Sequence, residues 1–184
     1  MTVSTLFDRS VDSVSDSREP SSAVELTLGK WFDETKQRND IFLATKFGAL
    51  DPEGKFGGGK QCSEPRYIKY ALERSLARLR TSYIDLYYQH RVDPNVPIEV
   101  VMEALRAPLE SGQVKYVGLS ECSVDVLRRA KSVKGVGERL VACQKEFSPF
   151  ELGIEKDGFA KVAEELGVSV VAYGPLGRGM ITGA

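Results

Sequence analysis

The feature that most narrows the fold is a repeated grammar, in which a short apolar run closes on a polar or ionisable residue and an amphipathic helical stretch leads to the next such run. The runs are Ile41 to Lys46, Tyr83 to His90, Tyr116 to Ser120, Leu140 to Gln144 and Val168 to Tyr173. Apolar runs of this length, separated by helical patterns, read as parallel strands buried on both faces. The stretches between them supply the helices. One has Ser21-Ser22 at its start and Val24, Leu28, Trp31 and Phe32 on one face, and another has Ser63 as N-cap with Ile68, Leu72, Leu76 and Leu79 as its stripe. Pro97 opens a third, with Val101, Leu105 and Leu109 on one face, Pro108 kinking its last turn and Gly112 closing it. Of the last two, one starts at Ser123, and the other, after the Leu140 to Gln144 run, passes through Phe159 and Leu166.

Alternating β and α patterns leave an α/β fold of two main kinds, an open doubly wound sheet or a closed (β/α)8 TIM barrel. Spacing does not separate them. An open dinucleotide fold carries G-x-G-x-x-G after its first strand, and no such turn follows Lys46, His90, Ser120 or Gln144. The barrel is favoured because Lys46, His90, Ser120, Gln144 and Tyr173 close successive strands and would ring one mouth, where barrel enzymes place their chemistry.

His90 is the only histidine. Alone, a histidine at a strand end is as readily a hydrogen-bonded structural imidazole as a functional one. A lysine closing an otherwise apolar strand, as Lys46 does, is less ordinary. The balance of 25 basic against 26 acidic residues argues against nucleic acid or an anionic membrane surface as partner. Cys62, Cys122 and Cys143 have neither disulfide-framework nor zinc spacing, so no metal is expected and a reducing, cytoplasmic compartment fits. No leader or membrane-length apolar run is visible. Residues 1–20, rich in Ser, Asp and Arg, read as a poorly ordered arm, and residues 21–184 as the domain. Gly54-x-x-x-x-Gly59-Lys60 has the spacing of a phosphate loop. Gln61 stands where a magnesium-binding hydroxyl belongs, however, and the glycines do not join strand to helix, so a flexible loop is the better reading.

Four segments resemble one family: Ile41 to Lys46, Ile84 to His90, Val117-Gly118-Leu119-Ser120-Glu121, and Val171 to Gly179 with its Tyr-Gly-Pro-Leu-Gly-Arg-Gly. In this order they are similar to the aldo-keto reductases, NADP(H)-dependent barrel oxidoreductases that act on small carbonyls or alcohols. The motifs are nearest a microbial branch, which implies a place in a microbial biosynthetic pathway. The resemblance makes Lys46 and His90 the catalytic lysine and histidine. Ser120 and Gln144 become the groups holding the nicotinamide carboxamide, Tyr173 the ring on which the nicotinamide stacks, and Gly174, Pro175, Leu176, Gly177 and Arg178 the loop beside the pyrophosphate.

The departures shape the remaining expectations. Asp8 matches the family aspartate, and no tyrosine precedes Tyr67 to serve as the proton donor. Glu121 stands where part of the family has an amide, and a carboxylate accepts but does not donate. Against a typical barrel of about 250 residues, the chain reads as a partial barrel, strands 3–7 of the family fold, truncated at both ends. The alternative to an oxidoreductase is a non-catalytic barrel fragment acting as an interaction module. Either form would have open sheet edges available for self-association.

Overall fold

The computed structural model describes residues 20–49, 56 and 61–180, with the side chains of residues 20–22 and 178 left out; Asp8 and the residues 54–55 and 57–60 of the glycine loop lie outside the described residues. Five strands, β1 (Ala44–Phe47), β2 (Ile84–Gln89), β3 (Val114–Ser120), β4 (Leu140–Glu146) and β5 (Ser169–Tyr173), form one sheet in the order 1-2-3-4-5. Every neighbouring pair is parallel. A doubly wound sheet reverses its strand order at one point, and this one does not. Strands that advance in one direction and return through helices build the wall of a (β/α) barrel.

The helices are α1 (Pro20–Thr35), α2 (Pro65–Leu79), α3 (Ile98–Ala104), α4 (Arg106–Glu110), α5 (Val124–Lys131), α6 (Gly153–Lys156) and α7 (Phe159–Glu165). Successive strand residues point to opposite faces, and the apolar groups divide accordingly. Tyr87, Val117, Leu119 and Cys143 join the large core under the helices, with Ile68, Leu72, Leu79, Val101, Met102, Leu127 and Phe159. Leu86, Tyr88 and Ala142 form a separate cluster on the other face with Phe42, Ala44, Tyr116 and Val171. This second face is the one that lines a barrel's interior.

Several local expectations are corrected. On α1, Val24 and Trp31 are exposed, and Phe32 shares the buried side with Glu25. The Glu25 carboxylate accepts from the Thr45 hydroxyl at 2.7 Å and pairs with Arg78 at 3.5 Å, so the face toward the sheet is partly polar. Ser63 does not cap α2. Glu64 occupies that position with Pro65 following, while buried Ser63 donates its N–H to Asp93 and accepts from the Gln89 amide at 2.8 Å. The helix opened by Pro97 breaks at Leu105 into α3 and α4. Pro108 has no N–H for the Ala104 carbonyl, which puts the interruption one turn before the proline. Ser123 does cap α5, accepting from the Val126 N–H at 3.2 Å.

At the N-terminal ends of the strands, Asp85 anchors β2. Its carboxylate accepts from Arg38 at 2.9 Å, the Leu43 N–H at 3.0 Å and Lys115 at 2.7 Å. Burial alone would raise its pKa, but these donors outweigh burial and hold it below the ordinary carboxylate value. In barrels this end serves stability, and the opposite end carries chemistry. No helix among the described residues is long and apolar enough to cross a membrane.

Candidate active site

At the C-terminal ends of the strands, register brings the expected residues onto one face. Lys46 pairs with Tyr88, Tyr88 with Gly118, Gly118 with Ala142, Ser120 with Gln144, and Glu146 with Tyr173. Paired residues share a face of the sheet, so Lys46, Ser120, Gln144 and Tyr173 line the interior side with Tyr88. His90 follows the last residue of β2, and its N–H donates to the Phe47 carbonyl at 2.7 Å, which sets it beside the end of β1. Gln144 lies within β4, two residues before its end at Glu146, and Tyr173 closes β5.

Tyr88 is a site residue that the sequence reading did not single out. Its ring lies across Gly118, where any Cβ would drive into it, and Lys46 Nζ stands 6.0 Å from the ring centroid. Burial, with a smaller contribution from Cys143, pushes the Tyr88 phenol well above its ordinary pKa, so at neutral pH it is a neutral floor for the site. A glycine inside an apolar strand is the signal that could have found this close approach.

Ser120 is almost fully buried and Gln144 half-buried, and neither side chain has a hydrogen-bond partner among the described residues. A hydroxyl and a primary amide side by side, with donors and acceptors unspent, suit a carboxamide ligand. Beyond Tyr173, Gly174 adopts φ +68°, a left-handed turn that L side chains resist, and leads into a 3₁₀ turn at Gly177–Gly179. Pro175 and Leu176 are exposed on this loop, and the Arg178 side chain lies outside the description. Cys122 and Cys143, 21 residues apart in sequence, meet in the core on the helix side of the sheet with Sγ atoms 3.4 Å apart, both buried and reduced.

Two charged residues border the tyrosine. Arg91 and Glu121 act on Tyr173 through their charges. Burial raises the phenol's pKa and Glu121 adds to the rise, while Arg91 opposes it. Arg91 drew no attention in the sequence, although it immediately follows His90.

The sequence model of the Aldo/keto reductase family matches residues 20–184. The chain belongs to the aldo/keto reductase family. It is 49% identical over 161 residues to aldo-keto reductase str7 of Strobilurus tenacellus, a match covering 86% of this chain and 45% of that protein. It is 46% identical over 164 residues to aldo-keto reductase yakc [NADP(+)] of Schizosaccharomyces pombe, covering 88% and 47%. The fold superposes with a TM-score of 0.73 on the holo form of aldo-keto reductase AKR11C1 from Bacillus halodurans, at 32% identity, covering 86% of this chain and 50% of that one. The chain thus spans about half the length of the curated relatives it matches.

Proposed function

We propose that this aldo/keto reductase chain carries the nicotinamide-binding half of an oxidoreductase site, acting with NADP(H) on a small carbonyl or alcohol in a cytoplasmic setting. The observation that carries this reading is the unspent pair Ser120 and Gln144, held in register on the same face as Tyr173. Ser120 and Gln144 would hold the carboxamide, and the Tyr173 ring would take the nicotinamide on its flat surface. The backbone amides of Gly174 to Gly177, with Arg178, would lie beside the pyrophosphate. When bound, the cofactor supplies or accepts hydride. The names of the yeast relative, with its NADP(+), and of the holo Bacillus structure support this choice of cofactor.

Lys46 and His90 would act on the substrate oxygen. The lysine contributes positive charge where negative charge develops, and the imidazole a directional donor that orients the carbonyl. Asp8 remains the counterpart of the family aspartate, proposed to support Lys46 electrostatically. The non-catalytic alternative gains nothing from the family match.

Fluorescence titration of the chain with NADPH tests the reading, with Tyr173→Ala as the decisive variant. Binding should be lost in that variant. NADPH binding of equal strength without the Tyr173 ring would sink the cofactor assignment.

A second proposal concerns assembly. Among the described residues β1 and β5 each have one strand neighbour, and Ser169 and Ala172 of β5 are exposed. Backbone edges of this kind template pairing with another chain, and self-association through them would appear as a dimer or larger species in sedimentation velocity.

A further inference from the structure

His90 stands on a short arch, Gln89 to Asp93, that leaves the end of β2 before the chain turns toward α3. Both feet of this arch are tied to one residue, Ser63, which lies 26 and 30 positions away in the chain. The Gln89 amide donates to the Ser63 hydroxyl at 2.8 Å, and the Ser63 N–H donates to one Asp93 carboxylate oxygen at 2.9 Å. The other Asp93 oxygen accepts the Asn95 N–H at 2.9 Å, an Asx turn that closes the arch on its far side. Gln89, Ser63 and Asp93 are 1%, 0% and 4% exposed, so water does not compete for these bonds. The exit of β1 meets the same point. The Phe47 carbonyl accepts the His90 N–H at 2.7 Å, and Gly48, at φ +83°, lies so close that a Cβ there would stand 3.2 Å from the Ser63 hydroxyl.

Gln89 lies two residues after Tyr87 and pairs with Leu119, both part of the core under the helices, so its side chain points away from the interior face and cannot touch a ligand there. What it can do is hold backbone. The arch would otherwise flex about its own torsions and carry the imidazole with it, and a misplacement of about 1 Å at a reacting centre can cost about 10²-fold in rate. We propose that Ser63, Gln89 and Asp93 are positioning residues that pin both feet of the arch carrying His90, and so set where the imidazole meets the substrate oxygen. The proposal rests on the reading of His90 given above. It also gives a task to Ser63, which caps no helix and yet is fully buried with both its hydroxyl and its N–H engaged.

The test is a double-mutant cycle on the full 184-residue chain with Gln89→Met and Ser63→Ala, folding checked by circular dichroism. The Gln89 carbonyl oxygen has no hydrogen-bond partner among the described residues, so removing it together with the amide nitrogen offsets part of the cost to folding. Each variant should lower kcat for an activated aldehyde about three- to tenfold, the scale of one polar contact, while NADPH affinity stays within about twofold. The double variant should lose no more than either single one, since both remove the same bond. Losses that multiply in the double variant would overturn the proposal, as would an unchanged kcat in both single variants while His90→Ala lowers it. So would a fall in NADPH affinity matching that in kcat, the mark of a loosened sheet rather than a misplaced imidazole. Failure of the His90 reading has a different signature, namely His90→Ala turning over like the unmodified chain. A measurement without substrate or cofactor then decides on the arch. His90 is the only histidine, so ¹⁵N-histidine labelling reports a single imidazole. Its signals should shift or broaden in Ser63→Ala, a substitution distant in sequence, and signals unmoved in both Ser63→Ala and Gln89→Met would overturn the proposal.

Discussion

Replacing Asp85 with Asn tests the arrangement that holds the non-catalytic end of the sheet. The Asp85 side chain is only 7% exposed, against 12% for Arg38 and 46% for Lys115. Removing one partner of a buried ion pair typically costs about 3–5 kcal/mol, because the other charge stays behind. Two features place this site at or below the bottom of that range. Lys115 can turn into water, so its share is that of a surface pair, about 0–1 kcal/mol. Arg38 keeps neutral acceptors in the Thr81 hydroxyl and the Ile41 and Tyr83 carbonyls, and lies over the Tyr83 ring at 3.9 Å. The expected loss is about 2–3 kcal/mol, a substantial part of a total of about 5–15 kcal/mol.

In urea this would lower the midpoint by about 1 M at a slope of about 2–3 kcal/mol/M, with the slope unchanged. The pH dependence has a definite sign. The folded carboxyl titrates below its unfolded value, so its stabilisation is complete above the unfolded pKa of about 3.9 and disappears as pH falls through the lower folded value. The gap between the unmodified chain and Asp85→Asn should therefore narrow below about pH 4. A midpoint shift under about 0.3 M at neutral pH would refute the reasoning, as would Lys115→Ala costing as much as Asp85→Asn.

Gly118→Val should force the Tyr88 ring from its place, destabilising the chain by at least the 1–3 kcal/mol typical of overpacking and weakening NADPH binding; a variant unchanged in thermal unfolding and in affinity would disprove the close approach. His90→Ala should lower turnover of an activated aldehyde by about 10²-fold or more if the imidazole orients the carbonyl, and unchanged kcat would remove His90 from the site. Ser123→Ala should cost about 0.5–2 kcal/mol through the lost α5 cap, read as a lowered urea midpoint, with little change in NADPH affinity. If the β1 and β5 edges associate, sedimentation should depend on concentration and thioflavin or ANS fluorescence should rise with it; a concentration-independent monomer without dye binding would rule this out.

The sequence by itself determined the elements and the ends of β3 and β5, whereas β1 runs one residue past Lys46 to Phe47 and β4 two past Gln144 to Glu146. Apolar runs closed by Ser120 or Tyr173 and the cap at Ser123 are local patterns, and local sterics and solvation decide them wherever the segments lie in space. The order of the site residues along the chain could be read for the same reason. The strand order was not local, since two architectures share the same alternation and only pairing shows that the sheet advances without reversal. The same holds for Tyr88 against Gly118 and for Asp85 between Arg38 and Lys115, 47 and 30 residues away. These contacts exist only in one register, and a slip of one residue would turn every side chain of a strand to the opposite face. Helix α1 shows the converse: its periodicity was visible, but which side faced the sheet was fixed by Glu25 meeting Thr45 and Arg78, partners supplied by the tertiary fold.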